Sequence, residues 1–163
     1  MRKHLIGASA TLALILGAAG GCGGTAPIAA ASPGSSCVNA SAPHHAYVVV
    51  QHLSGATVQK CVGFSTDTID GSTLMDSSKI EYQIQTFSFG KAVCQIDNEP
   101  QTFTQCFPQN EPYWALFVET NGTWAQAANG YTQITLNDKD ALGWHYVQQS
   151  DPSPAPPPAA KES

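Results

Sequence analysis

The stretch Ala46-Tyr47-Val48-Val49-Val50-Gln51-His52-Leu53-Ser54-Gly55-Ala56-Thr57-Val58-Gln59-Lys60-Cys61-Val62-Gly63-Phe64 decides the fold class. Its opening residues are rich in β-branched and aromatic side chains, which suit a pleated surface better than a helix. Ser54-Gly55 is a turn signal, and Thr57 to Phe64 alternates as a returning strand should. The core therefore begins with a β-hairpin. Downstream, Thr68-Ile69-Asp70-Gly71-Ser72 breaks the strand pattern. Ser72 is a candidate N-cap for a short helix over Thr73 to Ser78. Ala92 to Ile96 reads as a third strand. Tyr113 to Glu119 (YWALFVE) is apolar on both faces, so it reads as a central strand. Asn121-Gly122 is a type I′ hairpin signal and returns the chain through Thr123 to Gln126. Thr132 to Leu136 and Gly143 to Val147 close the domain as short strands. Strands around one short helix make an α+β fold.

The two ends read differently from this core. Met1-Arg2-Lys3-His4 is a basic start, and Leu5 to Ala19 is apolar or small throughout. That is the pattern of an export signal, residues 1–21, and it is too short for a good permanent membrane span. Two cleavage sites compete. Ala19-Gly20-Gly21-Cys22 resembles a bacterial lipobox, which would acylate Cys22 and anchor the chain to the cell membrane. Ala29-Ala30-Ala31 is an ordinary A-x-A site, and cleavage after Ala31 would release a secreted protein. Residues 22–36 form a small-residue linker in the first reading. At the other end, residues 150–163 carry five Pro, have no apolar face, and are expected to be a disordered spacer. Residues 37–149 remain as the folded domain.

Charge excludes two classes. The chain of 163 residues has 7 Lys+Arg against 12 Asp+Glu, a formal net of −5. Its only Arg is Arg2, inside the signal, so the exported chain keeps five Lys and is more acidic still. Nucleic-acid binding needs a clustered basic surface that releases counterions from phosphates, and none exists here. A polybasic membrane-surface protein is excluded for the same reason.

Several ordered segments carry a family resemblance. Cys61-Val62-Gly63-Phe64 follows a strand and Gly turn, and Gly71-Ser72-Thr73-Leu74-Met75 opens a helix. Cys94-Gln95-Ile96-Asp97-Asn98, Tyr113-Trp114-Ala115-Leu116, Gly122-Thr123-Trp124 and Ala128-Asn129-Gly130 follow in order. Asp140-Ala141-Leu142-Gly143-Trp144-His145-Tyr146 closes the set. From Val48 to Tyr146 the chain resembles the C-terminal β-grasp domain of transcobalamin-type carriers, and more closely their stand-alone secreted bacterial relatives of unknown function. The resemblance implies a β-grasp-like mixed sheet with one short helix, and a link to cobalamin-like ligands. Two positions depart from the pattern. Asn98 stands where the family has Gly, which Asn tolerates because it enters the left-handed region readily. Lys139 also stands for a Gly, so Asn137-Asp138 is expected to carry that turn.

Setting Cys22 aside leaves Cys37, Cys61, Cys94 and Cys106, which allow three pairings. Closeness in sequence favours Cys94–Cys106, with Cys37–Cys61 as the remaining pair. Each bridge would contribute roughly 2–4 kcal/mol by restricting the unfolded chain. No C-x-x-C motif occurs, and an oxidising compartment favours structural bridges over metal ligation or redox chemistry.

Catalytic signals are sparse. His44-His45, His52 and His145 are metal-ligand types, but adjacent His residues on a strand face opposite ways. Gly63-Phe64-Ser65-Thr66-Asp67 lacks the second Gly of a nucleophile elbow, and no Gly-rich phosphate loop lies outside the signal. Asp138 and Asp140 read as turn residues rather than as an acid–base pair. The chain is therefore expected not to be an enzyme, with no metal and no bound cofactor. Aromatics are the stronger lead. Tyr113, Trp114, Trp124, Trp144 and Tyr146 fall on three neighbouring strands, either as core or as a platform for a flat or amphipathic ligand. The expectation is a non-catalytic extracytoplasmic binding module. The alternatives are a cell-envelope protein–protein interaction domain and, from a third class, a His-dependent hydrolase or metal enzyme. In the carriers a large helical domain forms the opposite wall of the cobalamin site, and this chain has none.

Overall fold

The alternating hairpin folds as its pattern requires. In the computed structural model, which describes residues 37–88 and 90–162, β1 (His44–Gln51) pairs antiparallel with β2 (Thr57–Phe64). The chain then forms β3 (Ile69–Asp70), the helix α1 (Gly71–Ser78), β4 (Tyr82–Phe87) and β5 (Gly90–Ile96). After a long loop come β6 (Tyr113–Thr120), β7 (Thr123–Gln126), a 3-10 turn at Tyr131–Gln133, β8 (Thr135–Leu136) and β9 (Ala141–Val147). The main sheet has five strands in the order β2-β1-β9-β6-β7. β1 and β9 run parallel at its centre, and the other pairs are antiparallel. This is an α+β fold with a β-grasp-like mixed sheet. Two small ribbons, β3-β8 and β4-β5, complete it. The export signal, the linker, Cys22 and the Ala31 cleavage site lie outside the described residues. Among the described residues, no helix is long and apolar enough to cross a membrane.

Several local expectations are corrected. The N-cap of α1 is Asp70 rather than Ser72: its carboxylate accepts from the Thr73 backbone N–H at 2.9 Å. The helix starts earlier than read, because Gly71 lets the chain pass under the Tyr131 carbonyl, where a Cβ would sit 2.2 Å from that oxygen. β4 was not expected, because its polar alternation (YQIQTF) has only one partner strand and stays half-exposed. Thr132 to Leu136 is mostly turn, with a two-residue strand. Lys139 itself takes the left-handed conformation, φ 70°, instead of passing the turn back to Asn137-Asp138. Asn98 is left-handed as expected, φ 61°, and Asn121-Gly122 has the two positive φ values of a type I′ turn.

The core lies on one face of the sheet. Val48, Val50, Val62, Leu142 and Trp144 point from the strands toward Leu74 and Met75 of α1. An eight-residue helix is about 12 Å long and about 10 Å wide. It can cover roughly two strands at ~4.8 Å spacing, and it packs on β1 and β2. The β9–β6 half of this front face is closed instead by the β4-β5 ribbon and residues 127–136. Both disulfides form as paired above: Cys37–Cys61 ties the entry of the chain to β2, and Cys94–Cys106 ties β5 to the long loop.

The expected disordered spacer is also corrected, since residues 151–162 lie against the back of the sheet. Pro157 is buried, Ala160 packs beside Tyr47, Cys61 and Ala141, and Lys161 bonds to Gln59. The segment lacks an apolar face of its own, but the back of the sheet supplies one.

Candidate functional site

Strand alternation separates the five candidate aromatics. Trp114, Trp144 and Tyr146 point to the front and join the main core at 6%, 3% and 7% exposure. Tyr113 and Trp124 point to the back, where both pack beside Ala115, Phe117 and Val147. A single platform of all five is therefore ruled out by the period of the strands. The three front-face rings are held from several sides. Trp114 donates its indole N–H to the Glu99 carbonyl at 3.0 Å, and its ring lies 4.8 Å from that of Tyr146. Trp144 donates to the Met75 sulfur at 3.3 Å and meets Tyr131 edge-on at 6.0 Å. Burial pushes the phenols of Tyr131 and Tyr146 above their usual range; the Glu99 and Glu111 carboxylates add to the effect at Tyr146.

A cleft of about 190 Å³ opens between the start of β5 and residues 129–133, over β6 and β9. Trp114, Leu116 and Trp144 line it from the sheet, Val93 from β5, and Tyr131 from the 3-10 turn. Lys91, Asn129 and Gln133 supply its polar groups, and Phe107, half-exposed, stands at its edge. Of these lining residues, Trp114 and Trp144 are legible as candidates in the sequence, whereas Leu116, Tyr131 and Phe107 are not. Leu116 read simply as part of an apolar strand, and Tyr131 and Phe107 sit in loops whose path no periodicity reveals. A larger groove of about 450 Å³ is lined by Gln109, Asn110, Gln148, Gln149 and Ser150 and has no apolar wall to desolvate a ligand.

The histidines do not converge. His44 stands at the start of β1 and His52 just beyond its end, about 26 Å apart at ~3.3 Å per residue. His44 packs on Phe64, with ring centroids 5.6 Å apart. His52 is held by Glu99 at 2.6 Å and lies 3.5 Å from the Asp97 carboxylate. His145 is on the back face and bonds the Ala155 carbonyl at 2.7 Å. Among the described residues, no group of three His, Cys, Asp or Glu side chains is arranged to hold a metal ion. Asp138 accepts from the His45 backbone N–H, and Asp140 accepts from Asn137, so both carboxylates are engaged in turn structure.

No family model and no curated protein matches the sequence. Among solved structures, the chain is similar to a protein of Ruminococcus gnavus ATCC 29149 provisionally assigned as metal-binding. The TM-score is 0.49 at 16% identity, over 64% of this chain and 97% of that one.

Proposed function

We propose that this chain is a non-catalytic extracytoplasmic binding module whose site is the front-face cleft. The observation that carries the reading is the cleft itself: an apolar opening floored by two fixed tryptophans, with a cation and two amides among its lining residues. Two disulfides suit an oxidising compartment outside the cytoplasm. The volume limits what can enter. Pockets for whole small molecules run to about 300–1,000 Å³, whereas a cavity of about 150 Å³ holds a single benzene ring. At about 190 Å³, the cleft takes one ring or one branched side chain. The rest of an amphipathic ligand would lie outside, across Phe107. A cobalamin-like ligand, which the family resemblance implies, would dock only an edge here and leave most of its corrin in solvent. The same volume suits the anchor side chain of an envelope protein partner, because a buried aromatic or aliphatic anchor commonly dominates an interface.

The test is a titration with cobinamide and with small aromatic amphiphiles, followed by tryptophan fluorescence. Trp114 and Trp144 report any ring entering the cleft. A saturable change is expected, weakened about threefold to tenfold by Phe107→Ala, which removes an exposed ring without touching the core. No change at ~100 μM ligand, together with failure of an envelope extract to yield a partner sensitive to Phe107→Ala, would overturn the proposal.

A further inference from the structure

The back of the sheet poses a separate problem. β6 and β9 are apolar on both faces, and the helix serves only the front. On the back, Tyr47, Phe117 and Ala141 are all at least nine-tenths buried, although among the described residues no helix or second sheet covers them. Residues 151–162 cover part of this face. Ala155 meets His145, Pro157 lies over Gly143, and Ala160 packs beside Ala141, so the segment runs antiparallel to β9. Five residues of extended polyproline-type chain span about 16 Å, against about 13 Å for the four strand residues beneath. A helical segment would span only about 8 Å and could not make these contacts.

We propose that the back face is a receptor groove for an extended Pro/Ala-rich polypeptide, occupied in cis by residues 151–162. Three features distinguish it from incidental packing. First, its floor is cut to fit: a Cβ at Gly143 would lie 2.5 Å from the Trp124 ring and 2.8 Å from Pro157 Cγ. Second, its hydrogen bonds read the backbone of the segment. Gln59 donates to the Lys161 carbonyl at 2.6 Å and accepts from the Lys161 N–H at 2.9 Å. The carboxylate of Glu119, a buried residue, accepts from the Ala160 N–H at 3.0 Å. Contacts of this kind accept many side chains but require an extended chain. Third, the indole N–H of Trp124, whose ring meets Gly143, is buried without a hydrogen-bond partner. Aromatic grooves that take proline-rich chains combine ring packing with polar groups aimed at ligand carbonyls, and proline-rich chains lose little entropy on docking. The resident segment leaves that donor unused, so a proline-rich chain placing a carbonyl there exchanges with it.

The probe is a labelled synthetic peptide with the sequence of residues 151–162, added to the full chain and followed by fluorescence anisotropy. Wild type should bind it weakly, because the groove is occupied. Pro157→Asp expels the resident segment and should tighten binding about tenfold by freeing the competent site. Adding Trp124→Ala to that variant should abolish binding. The proposal is overturned if Pro157→Asp binds no better than wild type up to ~1 mM peptide, or if the double variant binds equally well. Amide exchange on the unmodified chain checks the groove without any substitution. The Ala160 and Lys161 amides should be protected, and exchange at the rate of an unstructured chain would also overturn it.

Discussion

At the scale of single residues, Asp70 shows how one side chain sets a boundary. Its carboxylate accepts from the Thr73 backbone N–H and from the hydroxyls of Ser72 and Thr73. Those bonds, the Ser72 hydroxyl first, hold its pKa down at about 2 against an ordinary 3.8. A depressed acid stabilises the fold in its charged form. Its contribution is complete above the unfolded value and is lost as pH falls through about 2. Asp70→Ala should therefore cost about 1 kcal/mol at neutral pH. The gap between variant and wild type in urea unfolding should narrow as pH drops below 3.8. Asp70→Asn, which keeps a capping oxygen without the charge, should lose less than the alanine variant at neutral pH. A gap unchanged down to pH 2 would refute this account of the cap.

At the scale of elements, the β4-β5 ribbon depends on its staple. β4 has one strand partner, and a two-stranded ribbon is marginal by itself. Cys94–Cys106 closes a loop with a sequence separation of 12 and fastens the loop to β5. Gln85 of β4 adds bonds to Thr104 and Cys106. Replacing both Cys94 and Cys106 by Ser should cost roughly 2–4 kcal/mol. It should also raise amide exchange across residues 82–96 more than across β1 and β9, which are held by neighbours on both sides. Equal loosening of both regions would mean that the bridge acts on the whole domain instead. The cleft lies against this ribbon, so the double variant should also weaken any ligand that enters beside Val93.

At the scale of the whole molecule, the core carries phenols whose ionisation the fold opposes. Tyr82 and Tyr131 are raised chiefly by burial; the Asp76 carboxylate, which accepts from the Tyr82 hydroxyl, raises Tyr82 further. Tyr146 is raised in the same direction. Raised acids stabilise the fold while neutral. That stabilisation is complete below the ordinary value of 10.0 and is lost as pH climbs through the higher folded values. Urea midpoints should fall steeply above pH 10, with tyrosinate absorbance appearing together with unfolding. Tyr82→Phe should reduce the slope. Tyrosinate forming well before unfolding would contradict the burial seen here.

How far the fold was legible follows from the range of the interactions involved. The hairpin, the central character of β6 and the type I′ turn at Asn121-Gly122 rest on neighbours in sequence, and local pattern was enough to determine them, whereas the sequence only favoured one of three disulfide pairings, the one the structure forms. The opposite orientation of His145 to Trp144 and Tyr146 is likewise a matter of strand period. Tertiary structure alone decided the rest. The split of the five aromatics between two faces depends on the register of β6, β7 and β9. The cleft exists because a short helix covers only part of a five-stranded sheet, and Phe107 and Tyr131 reach it from distant loops. The Pro-rich segment looked like a spacer because it has no apolar period of its own. It is ordered because Gly143, Trp124, Glu119 and Gln59, drawn from four strands, form a surface that sequence neighbours cannot form.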